Sequence, residues 1–191
     1  MIELSVVIFA GGASRRLGVT KQMINYHGVT LIAHACRRAL QLSNNVTVIT
    51  GANHHSVEAE AHKFKVDVVY NPKWEEGLAN SVSLAIKHEF NAKHVLLMNC
   101  DQPLIPLDHY QALVEKSKIE ADKIIATECD DVYQLPAVFP NRLFYELTTL
   151  QEDDSPDSVI QAHLAEVSSI THENAAFTVD TVDDMRRLKE F

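Results

Sequence analysis

Residues 4–21 read LSVVIFAGGASRRLGVTK, an apolar run that passes directly into a loop with three glycines and three cations. The run from Leu4 to Ala10 holds Val, Ile and Phe at successive positions, which is typical of a strand covered on both faces of a sheet. Similar runs follow at 46–50, 66–70, 94–99 and 123–127, with segments of helical spacing at 30–41, 56–64, 78–90 and 107–117. This alternation predicts a mostly parallel sheet flanked by helices.

The chain length fits one α/β domain of the three-layer, Rossmann-like kind, and we predict that residues 1–191 form it. After Cys129 the regular alternation ends. There the pattern predicts a strand at 134–139, a helix opened by proline at 140–150 and a polar loop at 151–158. Short strands are predicted at 166–171 and 176–179, before a last helix that begins near Val182.

Composition argues against several function classes. A formal net charge of −9 disfavours a surface that coats nucleic acid or binds an anionic membrane, because both need a basic face. Three cysteines at unrelated spacings suggest neither a disulfide framework nor a CxxC metal site. The first residues lack the positive start of a signal peptide, and no apolar run reaches the roughly 20 residues of a membrane span. We therefore predict a soluble, cytoplasmic protein.

The loop after the first strand is the first candidate site. Ligands of open α/β sheets bind outside the carboxyl ends of the strands, which is where this loop lies if the first strand is central. Its glycines let backbone N–H groups approach phosphate oxygens, and its cations offer positive charge to the same ligand. The residues concerned are Gly11, Gly12, Arg15, Arg16 and Lys21. Their spacing matches neither Walker A nor GxGxxG, and the alternative is a tight turn with solvated basic residues.

Two carboxylates follow predicted strands at the same edge of the sheet. Asp101 ends the run KHVLLMNCD, and Asp180 ends the run AAFTVD. A carboxylate opposite a triphosphate-binding loop is a plausible Mg²⁺ ligand, directly or through water. Each could instead cap the N-terminus of the helix that follows it, and the sequence leaves both alternatives open.

The histidines suggest no metal site. The chain has ten, of which His54 and His55 are adjacent. Neighbouring positions on a helix point apart, and neither an HxxxH pair nor paired cysteines accompany them. We interpret both as surface residues rather than zinc ligands.

Five segments in the same order resemble the MobA-like NTP transferases, a family that includes the guanylyl- and cytidylyltransferases of molybdenum cofactor synthesis. FAGGASRRLGVTK is similar to the family's LAAGxSxRMGxxK, and NPKWEEGLANSVSLAI is similar to its NPxWxxGMxxSL. MNCDQPLIP resembles a GDxP segment, QLPAVFPNRLFYELTTL resembles GxPxLFxxxxFxxLxxL, and FTVDTVDDM resembles DIDTPEDL. Several matches in one order are more specific than any single motif.

The resemblance implies nucleotidyl transfer, in which an acceptor phosphate oxygen attacks the α-phosphorus of an NTP and pyrophosphate leaves. It implies that Asp101 and Asp180 hold Mg²⁺, and that Arg16, Lys21 and Asp101 are catalytic. The nucleotide-binding residues that it implies are Ala10, Gly11, Gly12, Ser14, Arg15, Arg16, Lys21 and Ser81. The acceptor that it favours is a molybdopterin-type cofactor. Without the resemblance, the GLANSVSL segment around Ser81 is simply the start of a helix.

Two features leave the substrates open. Gly11 gives the AGG form of the first loop, which leans towards guanylyl transfer, while the downstream motifs are closer to the cytidylyl branch. Where cytidylyltransferase-like members have GDxGAR, this chain has EDDSPDS, with Asp157 in place of the arginine. An acidic loop is a poor neighbour for a phosphorylated acceptor, and this disfavours molybdopterin as the second substrate. The alternatives are transfer to a sugar or polyol phosphate, and a non-catalytic nucleotide- or cofactor-binding module that serves a molybdoenzyme maturation partner.

Overall fold

The computed structural model describes residues 2–191, which form a seven-stranded sheet and a small two-stranded one. The strands are β1 (Ile2–Ala10), β2 (Asn25–Tyr26), β3 (Val29–Thr30), β4 (Val46–Thr50), β5 (Asp67–Tyr70), β6 (Ala92–Asn99), β7 (Ile124–Cys129), β8 (Val132–Pro140) and β9 (Val167–Thr171). The helices are α1 (Leu31–Leu40), α2 (His54–Ala61), α3 (Leu78–His88), α4 (Leu107–Ile119), α5 (Phe144–Thr148), α6 (Pro156–Ala162) and α7 (Val182–Arg187).

The strand order of the large sheet is β5-β4-β1-β6-β8-β7-β9. β1 pairs in parallel with β4 on one side and β6 on the other, and β5 pairs in parallel with β4. β8 runs antiparallel to β6 and β7, and β7 pairs in parallel with β9. The prediction of a mostly parallel α/β sheet is therefore confirmed. Because β1 is flanked on both sides, the loop that follows it leaves the sheet from an inner strand.

Alternate residues of β1 are buried in two separate cores. Val6 and Ile8 pack with residues of α1, α2 and α4, whereas Val7 and Phe9 pack with residues of α3, α5 and α6. Successive side chains of a strand point to opposite faces, so a strand covered on both faces needs apolar residues at consecutive positions. The continuous apolar run in LSVVIFA is thus explained by the helices on both faces of the sheet.

The region after β6 departs from the sequence-based boundaries. β7 and β8 form a hairpin whose turn residues, Asp130 and Asp131, have φ values of 50° and 61°. The predicted helix at 140–150 is shorter, because β8 continues to Pro140 and α5 covers only Phe144–Thr148. Aspartate tolerates the left-handed region less well than glycine, so the Asp-Asp pair is a weak hairpin signal.

Two further predictions for this region are wrong in part or in full. The polar loop predicted at 151–158 ends early, since Pro156 is the first residue of α6. Residues 176–179 belong to no strand in the described chain, although a strand was predicted there. Their backbone pairs with a loop instead: the N–H of Val179 donates to the carbonyl of Asp101 at 3.0 Å. That hydrogen bond fixes the segment at the carboxyl edge of β6.

Within residues 2–191, no helix combines the length and the apolar composition that crossing a bilayer requires. Cys36, Cys100 and Cys129 are free and buried. Burial raises the pKa of the Cys36 thiol to about 12 and also raises that of Cys100. Both side chains therefore act as small apolar core residues at neutral pH.

Candidate functional site

The glycine loop, residues 11–21, packs directly against the turn between β4 and α2. The carbonyl of Gly11 accepts a hydrogen bond from the N–H of Ala52 at 3.0 Å. A Cβ atom at Gly51 would lie 2.7 Å from the Gly11 oxygen and 2.6 Å from the Cβ of Trp74. Position 51 therefore has no room for a side chain, and a glycine there lets the two segments meet.

Gln22 supports the glycine loop from the interior. Its side chain is fully buried, and Nε2 donates to the carbonyls of Ala10 at 2.8 Å and Gly12 at 3.0 Å. These two bonds fix the backbone on both sides of Gly11. Buried carbonyls without a donor destabilise a fold, so Gln22 contributes both to stability and to the shape of the loop.

Ser14 turns the loop back towards the sheet. Its φ of 55° is uncommon for a residue other than glycine. Its carbonyl accepts from the N–H groups of Leu17 and Gly18, at 3.0 and 3.2 Å. Its Oγ accepts from the N–H of Lys21 at 3.1 Å. Ser14 therefore positions the backbone of Lys21 beside the end of β1.

Lys21 contacts both predicted metal-binding carboxylates. Its Nζ donates to Oδ2 of Asp101 in a short contact and to Oδ1 of Asp180 at 2.8 Å. The side chains of Lys21 and Asp101 are only 13% and 12% exposed. Burial alone lowers the pKa of Lys21, but the two carboxylates outweigh it and raise that pKa above its usual value. Lys21 is therefore positively charged across the neutral range.

Asp180 is partly exposed and is ionised at neutral pH. Burial raises its pKa, but the hydrogen bond from Lys21 and the lysine charge lower that pKa below its usual value. Its Oδ2 accepts from the hydroxyl of Thr178 at 2.9 Å and lies 3.6 Å from Nη2 of Arg16. Both oxygens of Asp180 are thus directed at hydrogen-bond donors of the site.

The end of β6 places Asp101 opposite the glycine loop. The N–H of Cys100 donates to the carbonyl of Phe9 at 3.2 Å, so the residue after Cys100 leaves the sheet beside β1. Oδ1 of Asp101 is buried and makes no hydrogen bond. A buried carboxylate oxygen without a partner, near a second carboxylate, fits a hard divalent cation such as Mg²⁺. The residues present therefore fit the metal that the family resemblance implies.

Lys21 and Asp101 line a cleft of about 350 Å³. This volume lies within the range of small-molecule sites, roughly 300–1,000 Å³. The predicted nucleotide-binding residues that line the cleft are Ala10, Gly11, Gly12, Arg15, Lys21 and Ser81. Ser14 is absent from the lining, and Arg16 lines a neighbouring cleft of about 420 Å³ together with Asp180.

Ser81 lies in α3 on the far wall of the cleft. It is buried, and its Oγ accepts a hydrogen bond from Nδ2 of Asn71 at 2.9 Å. Asn71 directly follows β5, and its N–H donates to the carbonyl of Thr50 at 2.9 Å. The ends of β4 and β5 therefore hold the serine in place, so Ser81 has a structural partner in addition to its predicted contact with the nucleotide.

The two arginines of the glycine loop are much more exposed than the lysine. The side chains of Arg15 and Arg16 are 78% and 73% exposed. Arg15 reaches Glu75 at 3.7 Å, and Arg16 reaches Asp180 at 3.6 Å. Ion pairs at such exposure contribute little to stability. Both side chains can therefore rearrange towards an anionic ligand at small cost.

The EDDSPDS loop borders the cleft through its backbone. Gly77, which lines the cleft, has a φ of 106°, and a Cβ there would lie 2.6 Å from the carbonyl oxygen of Glu152. Asp157 is partly buried, and burial raises the pKa of its carboxyl group. Asp157 is therefore held within the protein at the start of α6, rather than extending freely from the loop.

Sequence reasoning missed four residues that shape this site. They are Gln22, Gly51, Asn71 and Trp74. Gly51 and Asn71 directly follow β4 and β5, so applying the carboxyl-edge rule to every parallel strand would have found them. Trp74 is the single tryptophan of the chain and lies in the NPKWEEG segment. Nothing in the local sequence marked Gln22 as a buried donor.

Comparison with known proteins identifies the family. The family model described as MobA-like NTP transferase domain matches residues 6–167, which is more than half of the chain. The chain belongs to this family. The match covers β1 to the first residue of β9, and therefore includes the glycine loop and Asp101 but not Asp180.

Two curated proteins that are similar in sequence to this chain carry functional names. Molybdenum cofactor cytidylyltransferase of Escherichia coli (strain K12) is 25% identical over 114 residues, which is 59% of this chain and 59% of that protein. Molybdenum cofactor guanylyltransferase of Shewanella sp. (strain W3-18-1) is 28% identical over 138 residues, which is 71% of this chain and 67% of that protein. The match thus spans less than two thirds of the E. coli protein.

The solved structures include a protein of the same extent with a similar fold. Rv0371c from Mycobacterium tuberculosis H37Rv superposes with a TM-score of 0.87 at 26% identity, over 100% of this chain and 99% of that chain. A second structure of Rv0371c, in complex with manganese, superposes with a TM-score of 0.79 at 23% identity, over the same shares of both chains. The fold is therefore shared along the whole chain.

Proposed function

We propose that this MobA-like protein transfers a nucleoside monophosphate from CTP or GTP to a phosphorylated acceptor and releases pyrophosphate. The favoured acceptor is of the molybdopterin type. The observation that carries the proposal is the Lys21 ammonium group, held between Asp101 and Asp180 beside a glycine loop in a cleft of about 350 Å³. The names of the two curated relatives support the choice of donor and acceptor.

The chain's own residues would supply position and positive charge. Gly11 and Gly12 bring backbone N–H groups close to the phosphates, and Lys21 and Arg16 balance charge as the transition state forms. An oxygen of the acceptor phosphate attacks the α-phosphorus, and the bond from that phosphorus to the bridging oxygen of pyrophosphate breaks. A phosphate monoester is already anionic at neutral pH, so no general base is required.

A divalent metal would complete this charge balance. In the proposal, Asp101 and Asp180 hold Mg²⁺ through carboxylate oxygens, and the buried Oδ1 of Asp101 is an available ligand. The bound ion would supply positive charge that offsets the charge of the phosphates and of the leaving group. The manganese complex of Rv0371c supports a divalent ion in a protein of this fold.

The neighbouring cleft of about 420 Å³ is the proposed acceptor side. It is lined by Arg16 and Asp180, and Asp180 contacts Lys21 of the nucleotide cleft at 2.8 Å, so an acceptor there would border the reacting phosphate. Its wall includes Phe177 and Phe191, whose ring centroids lie 5.9 Å apart. Arg187 is also part of this wall, and its guanidinium carbon lies 5.3 Å from the centroid of the Phe177 ring. A flat heterocycle can stack on such a surface while its phosphate faces Arg16.

Pyrophosphate release tests the proposal. The purified protein is incubated with Mg²⁺, CTP or GTP, and molybdopterin, a sugar phosphate or a polyol phosphate. We expect release that requires molybdopterin and one of the two nucleotides. Release with a sugar or polyol phosphate instead would contradict the proposed acceptor. Nucleotide binding without release on any acceptor would contradict the transferase and favour a binding module.

The variant Phe177→Ala tests the acceptor cleft separately from the nucleotide cleft. Phe177→Ala removes an aromatic wall of the acceptor side and leaves the residues of the nucleotide cleft unchanged. We expect a higher KM for the acceptor, by about tenfold, with an unchanged KM for the nucleotide. The reverse pattern would place the acceptor elsewhere.

We also propose that the protein acts in the cytoplasm, since its three cysteines are free.

A further inference from the structure

We infer that His54, His55 and Glu58 form a second binding site, for a divalent transition-metal ion of the Zn²⁺ type. One nitrogen of each histidine and one carboxylate oxygen lie within 4.8 Å of one another. This is the single group of three such ligands found within residues 2–191. The inference is independent of nucleotidyl transfer, because none of these residues lines the nucleotide cleft.

The spacing of the ligand atoms suits a tetrahedral ion. With metal–ligand bonds of about 2.0–2.1 Å, neighbouring ligand atoms of a tetrahedron lie about 3.3 Å apart. Nδ1 of His54 lies 3.4 Å from Oε2 of Glu58, which is already this separation. The third ligand atom, from His55, lies within 4.8 Å of the other two, so a small rotation of its ring would bring it within the same range. One coordination position of the tetrahedron would then remain for water.

The two histidine rings face each other at the start of α2. Asn53, the residue before the helix, has a φ of 57°, and His54 is the first helical residue. The ring centroids of His54 and His55 are 4.2 Å apart, and the His54 ring also stacks on Tyr70 at 4.4 Å. The interpretation that adjacent histidines point apart is therefore wrong here. Regular helix geometry fixes Cβ directions, but the rings can turn towards each other.

The hydrogen bonding of the cluster leaves ligand atoms available. Nδ1 of His54 is buried and makes no hydrogen bond, despite its proximity to the glutamate. His62 contacts the other oxygen of Glu58, Oε1, at 3.4 Å and leaves Oε2 facing His54. A buried ring nitrogen without a hydrogen-bond partner calls for an explanation, and a bound ion supplies one.

The chemistry of the ligands distinguishes this site from the carboxylate pair. Two imidazole nitrogens and one carboxylate oxygen favour Zn²⁺, Co²⁺ or Ni²⁺, whereas the oxygens of Asp101 and Asp180 favour Mg²⁺ or Mn²⁺. The site also lies next to the glycine loop in the fold. The N–H of Ala52 donates to the carbonyl of Gly11 at 3.0 Å, so an ion at His54 would stabilise the β4–α2 turn that contacts the glycine loop.

Metal titration of the intact, metal-free protein tests the inference. Zn²⁺ binding is measured by calorimetry, and Co²⁺ binding by its visible absorption, which distinguishes tetrahedral nitrogen-containing sites from octahedral oxygen sites. We expect one equivalent of Zn²⁺ and a tetrahedral Co²⁺ spectrum. His55→Ala and Glu58→Gln should each weaken Zn²⁺ binding at least about tenfold and abolish the Co²⁺ spectrum.

Matched variants keep the test decisive. His54→Phe retains the stack on Tyr70 and removes a ligand, so it should also weaken Zn²⁺ binding without unfolding the protein. His88→Ala breaks a histidine–glutamate contact of 3.1 Å, to Glu89, that is not part of any three-ligand group in the described chain. It should leave binding unchanged. Equal Zn²⁺ affinity in wild type and His55→Ala, or loss of the Co²⁺ spectrum in Asp101→Asn instead, would overturn the inference.

Discussion

Lys21 and Arg15 belong to the same loop but differ in how firmly the protein holds them. The lysine side chain is 13% exposed and contacts two carboxylates, while the arginine side chain is 78% exposed and contacts one exposed glutamate. Fixed charges act on a transition state without reorganisation, whereas exposed ones must be ordered when the ligand binds. The comparison predicts that the effect of a substitution in this loop follows the burial of the side chain.

Lys21→Met should have the largest effect. The variant removes the buried cation but retains the length of the side chain, and we expect kcat/KM for transfer to fall at least about 100-fold. It also leaves two carboxylates without their shared partner, so unfolding by urea should begin at a lower concentration. Pyrophosphate release and a urea titration measure the two effects.

Lys63→Met is the matched control for Lys21→Met. It breaks an exposed ion pair with Glu60, in which the lysine side chain is 65% exposed, and should leave both quantities unchanged. If Lys21→Met retained near wild-type transfer, the lysine would have no role in the reaction. A loss of activity in both variants would show that the effect of removing a cation does not follow the burial of its side chain.

Gln22 substitutions should have the next largest effect. Gln22→Met removes the donor that binds the carbonyls of Ala10 and Gly12, and Gln22→Glu replaces it with an acceptor. We expect about 1–3 kcal/mol lower stability for Gln22→Met and a larger loss for Gln22→Glu. Transfer should slow by about tenfold, because the loop is displaced. Equal stability of both variants and wild type would show that these hydrogen bonds do not shape the loop.

Arg16→Ala and Arg15→Ala compare the two exposed cations directly. Arg16 lies 3.6 Å from Asp180, the carboxylate that also contacts Lys21, and we expect its removal to lower kcat/KM about fivefold. Arg15 pairs with Glu75 at 3.7 Å, and its removal should change kcat/KM less than about twofold. Both effects should shrink at high salt, because exposed charges are screened. An Arg15 effect as large as that of Lys21→Met would refute the ranking.

The pH dependence of stability should show the smallest effect. The pKa of Asp180 is lowered from 3.8, so its ion pair stabilises the fold above that pH and is lost as pH falls further. The pKa of Lys21 is raised from 10.5, so its contribution is present below that pH and is lost as pH rises through the raised value. The difference in melting temperature between wild type and Asp180→Asn should therefore stay constant between about pH 5 and 9. Below about pH 4 the two melting temperatures should converge. A constant difference down to pH 2 would contradict the ion pair.

The parallel half of the sheet was predictable because two general rules for parallel strands apply to it. Strands that are covered on both faces are read directly from apolar runs, and their carboxyl ends share one edge. These two facts place the glycine loop and Asp101 together before any coordinates are known. Asp180 reaches the same edge through the hydrogen bond of the preceding residue, Val179, and its own contact with Lys21 rather than through a strand, so its position was predicted for the wrong reason.

The remaining features depend on contacts that the local sequence does not encode. The turn of the β7–β8 hairpin consists of Asp130 and Asp131, and an Asp-Asp pair is not a strong hairpin signal such as Asn-Gly or Asp-Gly. Gln22 follows Lys21 in a polar stretch, and only the tertiary fold buries it. The pairing of His54 with His55 arises from ring rotations at a helix start, which a periodicity argument does not describe.

A crystal structure with CTP or GTP and Mn²⁺ would test the central claim most directly. The anomalous signal of manganese locates the ion without reference to the assumed site. We expect the ion on carboxylate oxygens of Asp101 and Asp180, the triphosphate against Gly11 and Gly12, and Nζ of Lys21 on a phosphate oxygen. A triphosphate outside this cleft, with no manganese at Asp101, would contradict the claim that the lysine and the two acids act on one nucleotide.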